Sequence, residues 1–356
     1  MRIGPGPKSN EQPGTSPELR RSGGGRTPFI IGLVIVTLAV LFYFLLPAAL
    51  PGQVPVEVRV TTGSSTRAIA RQLAAQGVVR SAEHFLLWVR LLSADGRLQA
   101  GDYLLSPGMT PPAIVAVIRD GRVAGKGVTI PEGYTVAQIA DLLERLKLAE
   151  REKFLAAAAD PALVLGEDSP FEIPNPSLEG YLFPDTYRIA PGTPEVDILR
   201  LMVRRTAEKL LPLVTEIGLP EGLSLHGLLT LASIVEKEAR IPEERPLIAG
   251  VFWRRLKMDM PLQADPSVKY VLSPAPVYLS HEDIQIDSPY NTYRYRGLPP
   301  GPIANPGLDA VKAVLEPKIT DYLYFVAKGD GTHIFSATYE EHLAAKHQVQ
   351  REAAAD

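Results

Sequence analysis

Apolar residues recur along this chain in three rhythms. From Phe29 to Leu46 they form an unbroken run without charge, FIIGLVIVTLAVLFYFLL. Taken over residues 27–50, the run passes about 20 residues, enough for a helix to span a bilayer. Val56, Val58 and Val60 then alternate with polar neighbours, which is the period of a half-buried strand. After that, helical spacing dominates. Gly63, Ser65, Ile69 and Leu73 form a turn glycine, a cap and two core positions four apart. Gly108, Thr110, Ile114 and Ile118 repeat the pattern, as do Gly133, Thr135, Ile139 and Leu143. The copies are unevenly spaced, so they predict recurrent local architecture and not a solenoid.

Ser81 caps a second predicted helix, AEHFLLWVRLL, and a short strand follows around Tyr103 to Leu105. Over residues 54–122 this gives a small α/β module whose strand-helix-helix-strand order resembles a LysM module, a glycan-binding fold. Val128 to Leu148 opens the next domain. Glu150 to Val164 reads as helix with a break at Pro161, and 166–176 as a loop. Glu195 to Leu211 predicts a long helix stopped by Pro212, and Leu223 to Arg240 another. A GDGT turn joins two predicted strands, YLYFVA and HIFSA, before a closing helix. The expected class is α+β: a disordered tail at 1–26, a single transmembrane helix at 27–50, the module at 54–122, and a mixed α+β domain at 123–356.

Charge orients this plan. Arg20, Arg21 and Arg26 precede the apolar run, and no Lys or Arg follows it until Arg59. The positive-inside rule puts the N-terminus in the cytoplasm and the rest outside the cell (inner) membrane. A cleaved signal peptide ending near Pro47-Ala48-Ala49 is the alternative, but the run is too long for an ordinary h-region. A net charge of −3 argues against a nucleic-acid binder. The absence of cysteine excludes disulfides, thiolate metal sites and a cysteine nucleophile. No cofactor is implied, and no His, Asp or Glu cluster has metal-ligand spacing.

The candidate chemistry centres on LTLASIVEKEARIP, Leu229 to Pro242. On a helix, Leu228, Leu231, Ala232, Val235 and Ala239 form an apolar side, and Glu236 and Glu238 flank Lys237. Glu238 has Val235, Ile234 and Leu231 three, four and seven positions before it. Glu236 has the smaller Ser233 and Ala232. Glu238 is thus the better placed to lose water and hold a proton near neutrality, as a general acid must. Both glutamates as solvated surface is the competing reading. In SLEGYLFPDTYRIAPGT, Tyr181, Phe183 and Tyr187 stand beside Glu179 and Asp185. That mixture suits a sugar-binding wall, or equally a strand with packed aromatics.

The segments VTIPEGYTV, LEGYLFPDTY, LASIVEKEA, VFWRRLKMDMPLQADPSVKY, SPYNTYRYRGLPPGPIANPG and YLYFVAKGDGTHIF occur in this order. Together with the anchor and the LysM-like module, they resemble the endolytic murein transglycosylase family, MltG or YceG-like, from about residue 30 to 345. The resemblance implies a membrane-anchored lyase acting on peptidoglycan glycan strands, with peptidoglycan synthases as further partners. It would cut the bond between N-acetylmuramic acid and N-acetylglucosamine without water, leave a 1,6-anhydro end and terminate strand elongation. The second Glu of the family's IVEKE motif is its catalytic residue, here Glu238. Gln263, Asp265, Tyr290, Asn291, Thr292 and Tyr293 lie in Pro-broken polar segments. They are candidates for binding sugar or orienting Glu238, with turn formation as the competing role. Glu236 is a helper or structural residue, and His333 a structural histidine before a site residue. Two alternatives stand beside this reading. One is a hydrolytic muramidase using Asp265 or Glu179 as a second carboxylate. The other is a non-catalytic wall-binding scaffold.

Overall fold

The computed structural model describes residues 31, 46–49, 54–121, 127–166, 169–174 and 176–353. The tail at 1–26 and nearly all of the expected span at 27–50 lie outside them. Among the described residues no helix is long and apolar enough to cross a membrane. Residues 47–356 form one compact unit built on two apolar cores.

The first core lies under an antiparallel pair, β1 (Val56–Val60) and β2 (Gly101–Leu105), in which Val58 faces Tyr103. Between the strands run α1 (Thr66–Ala75) and α2 (Ala82–Leu91), and α3 (Pro111–Arg119) follows them. The caps read from sequence fix where these helices start. Ser65 accepts the Ala68 N–H, and Ser81 accepts the His84 N–H. Such a bond satisfies one of the donors that a first turn leaves open, worth about 1 kcal/mol. Ile69, Leu73, Ile114 and Ile118, the spaced positions, are all buried.

The second core begins at β3 (Val128–Thr129), which pairs with β4 (Thr186–Tyr187). Thr135 opens α4 (Val136–Arg145) with a capping box closed by Gln138. The stretch expected to break at Pro161 is two helices, α5 (Arg151–Ala158) and α6 (Pro161–Leu165), with Asp160 capping the second. α7 (Glu195–Ile217) corrects one expectation, because it continues through Pro212. The proline sits on the exposed side, one turn after exposed Glu208. The carbonyl left without a donor there is open to water, and the helix does not have to stop.

α8 (Leu225–Glu238), capped by Ser224, is the centre of this core. Gly227 to Val235 are buried without interruption, so the helix is enclosed on all sides and has no single apolar face. It packs on α9 (Arg245–Lys257), α10 (Asp265–Val271) and α11 (Leu308–Leu315). A hairpin of β5 (Tyr324–Ala327) and β6 (His333–Ser336), then α12 (Tyr339–Ala353), complete the fold.

Candidate active site

Glu238 is the last residue of α8. At Ala239 the backbone turns extended (φ −75°, ψ 118°), so the final side chain leaves the buried bundle and enters a cleft. Two cavities meet there, of about 440 Å³ and about 700 Å³. Glu238, Asp265, Ala327 and His333 line both of them. The cleft therefore has two limbs with Glu238 at their junction.

No hydrogen bond or ion pair to the Glu238 carboxyl is formed among the described residues. Water touches it through the cleft, but protein surrounds it on every other side. Burial, and next the charge of Asp265, push its pKa up to about 8, against the opposing pull of Lys269 and Arg255. With no donor to favour the anion, the carboxyl keeps its proton at neutral pH.

Asp265 opens α10, and its Oδ1 accepts the Tyr293 hydroxyl at 2.5 Å. Burial and this bond hold the Tyr293 phenol protonated well above its ordinary range. Gln263 lines the smaller limb with an exposed side chain and φ of +50°. A non-glycine residue held in that region is strained, and such strain clusters at functional sites. Its N–H donates to the Thr292 carbonyl at 3.0 Å, which fixes the backbone of the limb.

Glu179 lines the larger limb and is 6% exposed. Both its oxygens accept the Val136 N–H at 3.1 Å, at the N-terminus of α4. Asn305 Nδ2 donates at 3.1 Å and the Tyr270 hydroxyl at 3.5 Å. Burial still dominates these bonds and raises its pKa to about 7.

The remaining sequence candidates lie elsewhere. Asn291 and Thr292 are buried. Asn291 donates to the Ile284 and Ile286 carbonyls, and Thr292 Oγ1 pairs with Ser267 and accepts the Ala264 N–H. Tyr290 packs against Tyr270 with ring centres 5.1 Å apart. Glu236 turns away from the cleft. It binds Arg245 at 3.1 Å and accepts the Gly307 N–H at 3.0 Å.

Of the two readings of SLEGYLFPDTYRIAPGT, the fold takes packed aromatics and not a sugar-binding wall. Tyr181 and Tyr187 are buried in the second core, with Tyr181 bonded to His226 Nδ1 and Tyr187 to the Phe183 carbonyl. Asp185 pairs with Arg205. Of that segment only Glu179 reaches the cleft. The aromatic lining comes instead from Tyr293, Tyr324, Phe325 and Tyr339 in the smaller limb and Tyr270 in the larger.

Several cleft residues carried no recognisable pattern in the sequence. His333 faces both limbs, its Nδ1 is 2.6 Å from Glu244 Oε2, and its N–H donates to Glu244 Oε1. Its place just after the GDGT turn was the one usable signal. Buried Arg255 donates to the Leu262 and Leu323 carbonyls and lies over the Tyr324 ring at 5.2 Å. His342 stacks on the same ring.

A protonated carboxyl at the middle of a long, polar-lined cleft can act as a general acid on an internal bond of a polymer. Comparison with known proteins agrees in scale. The sequence profile of the YceG-like family matches residues 58–348. A Bacillus subtilis protein named endolytic murein transglycosylase is 38% identical over 297 residues, 80% of this chain and 82% of that one. A Streptococcus pneumoniae protein of the same name is 33% identical over 78% of this chain, which spans 55% of that longer protein. A crystal structure of a YceG-like protein from Listeria monocytogenes aligns with a TM-score of 0.55 and 36% identity. That alignment covers 82% of this chain and 99% of the other. With Glu238 and its cleft inside the matched span, the chain belongs to the YceG-like family.

Proposed function

We propose that this protein is an endolytic peptidoglycan lytic transglycosylase, a lyase that cuts glycan strands internally between N-acetylmuramic acid and N-acetylglucosamine. The observation that carries the reading is the proton held on Glu238 at the junction of two cleft limbs. A strand lying through both limbs presents an internal bond to that proton.

Glu238 donates its proton to the glycosidic oxygen as the bond to muramyl C1 breaks. The positive charge developing at C1 is met by the carboxylate just formed. That carboxylate then takes the proton of the same sugar's C6 hydroxyl, and O6 closes on C1 to give the 1,6-anhydro ring. Glu238 ends protonated, and no water is consumed. Because the nucleophile belongs to the substrate, the paired carboxylates of an ordinary glycosidase are not required. Tyr293 and Asp265 shape the wall beside Glu238, and Asp265 helps to keep it protonated.

The hydrolytic alternative would give the same fragments with free reducing ends, heavier by one water. Mass analysis of fragments released from peptidoglycan decides between them. Anhydro ends that disappear with Glu238→Gln are expected. Free reducing ends would overturn the lyase reading, and full cell-wall function with Glu238→Gln would favour the scaffold reading.

Residues 54–122 are assigned to a LysM-like module and 123–356 to the catalytic domain. The strand-helix-helix-strand order of β1, α1, α2 and β2 supports the first assignment. The apolar run at 27–50 and the arginines before it support a single-pass anchor in the cell membrane, with a cytoplasmic N-terminus and an extracytoplasmic cleft. Placement beside the membrane suits newly made strands and contact with the synthases that make them. A topology reporter fused after residue 55 that reads as cytoplasmic would overturn the placement.

A further inference from the structure

The larger limb carries more positive charge than glycan hydroxyls require. Lys237 and Arg240 line it from the end of α8 and the residues just after, and Lys269 lines it from α10. None of the three has an ion-pair partner among the described residues. Lys237 Nζ donates to the Gly133 carbonyl at 3.2 Å, and Lys269 Nζ to the Val277 carbonyl at 2.6 Å. A neutral carbonyl orients an ammonium without cancelling its charge, and each keeps further N–H groups to offer. Arg240 lies along the β5–β6 turn beside Gly331.

The acids of the same limb do not balance this charge. Burial raises the pKa of both Glu238 and Glu179, and Asp265, whose bond from the neutral Tyr293 hydroxyl does not cancel its charge, is one carboxylate against three cations. Unpaired surface lysines are ordinary. Three cations on one cavity, from two of its walls and beside the proton donor, in a chain of net charge −3, are a local concentration. Muramyl residues carry, through their lactyl group, a short peptide with free carboxylates. N-acetylglucosamine carries no charge.

We infer that the larger limb is a carboxylate-binding subsite for the peptide borne by muramyl residues, with Lys237, Arg240 and Lys269 as its anchors. The enzyme then reads peptide-bearing strands in preference to denuded ones. This inference rests on the peptidoglycan reading above. Lys269 has a second effect, because its charge also lowers the Glu238 pKa, so the test relies on the other two.

The full-length protein is assayed on three strand preparations, all free of lipid pyrophosphate: peptide-bearing strands, the same strands with their carboxylates converted to amides, and strands stripped of peptide. kcat/KM is expected to fall about tenfold from native to amidated strands. Arg240→Gln and Lys237→Gln should each shrink that ratio about threefold, while Arg240→Lys retains it. Added salt should erode the preference of the wild type, since these charges are partly exposed. Equal cutting of native and amidated strands by the wild type overturns the inference alone. So does a ratio that both Gln variants leave unchanged. Failure to cut any of the three overturns the functional reading and this inference with it.

Discussion

Replacing Glu238 by Gln should make the protein more stable as it loses activity. The carboxyl has a pKa of about 8 in the fold, against an ordinary value of 4.5. Between those pH values the unfolded chain ionises this group and the folded chain does not, so rising pH favours unfolding. Each pH unit in that window costs about 1.4 kcal/mol. Below 4.5 the two states carry the same proton and there is no penalty; above about 8 the penalty is complete. At neutral pH the sum is about 3 kcal/mol, and the water that reaches Glu238 through the cleft reduces it to about 2 kcal/mol. Gln keeps the shape and removes the ionisation. For a unit spanning residues 47–356 about 2 kcal/mol raises Tm by roughly 3 °C. The assay is a set of thermal melts of wild type and Glu238→Gln from about pH 4 to about pH 9. The gain should be absent at the acid end, grow with pH and level off above about 8. A gain that does not depend on pH, or a loss at neutral pH, would refute the burial of this carboxyl as its source of proton affinity. Turnover by the same variant should drop by a factor of at least about 100.

Three further outcomes follow from other contacts. The rate should decline as pH rises through about 8. Lys269→Gln should move that decline to higher pH and Asp265→Asn to lower, since the two charges act on Glu238 in opposite senses; shifts in one direction would contradict this. Glu179→Ala strands the Val136 N–H in a buried place and leaves Asn305 Nδ2 with only the Tyr134 carbonyl as acceptor; it should cost about 1–3 kcal/mol in urea unfolding, with Glu179→Gln costing less. Gly250→Ala would put its Cβ 2.2 Å from the Lys318 carbonyl oxygen. It should destabilise by about 2 kcal/mol or more, because backbone must move, and a neutral result in a melt would show that α9 can slide there.

Local structure was largely legible in the sequence because its causes are local. Ser65, Ser81 and Thr135 cap helices within three residues of themselves, and Val56 to Val60 alternate as a strand does. The preference for Glu238 over Glu236 came from neighbours on the same helix. The larger part of its environment did not. Asp265, Arg255 and Lys269 come from two other helices, and His333 from a hairpin almost a hundred residues on. The aromatic segment supported two readings for the same reason. Composition put Tyr181, Phe183 and Tyr187 next to acids, and only the packing sends two of those rings into the core and brings Tyr324 to the cleft. Pro212 shows the limit of a local stop signal, since its effect depends on whether solvent can reach the preceding turn.

The two cores are bolted together. Buried Ser106, at the end of β2, donates to Asp197 in the first turn of α7, and Ala190, just before that helix, is packed into the first core. At the far side, Arg80 grips the Pro47 carbonyl at 2.8 Å. Among the described residues these contacts tie residue 47 to Glu238 within one compact unit, which makes an arm between the two. If a surface held the chain at residue 47, that arm would set the height at which the cut is made, as the length of a gauge block sets a saw. Lengthening the arm by inserting residues between the cores, and not changing the cleft, is the way to alter which part of a strand the acid meets.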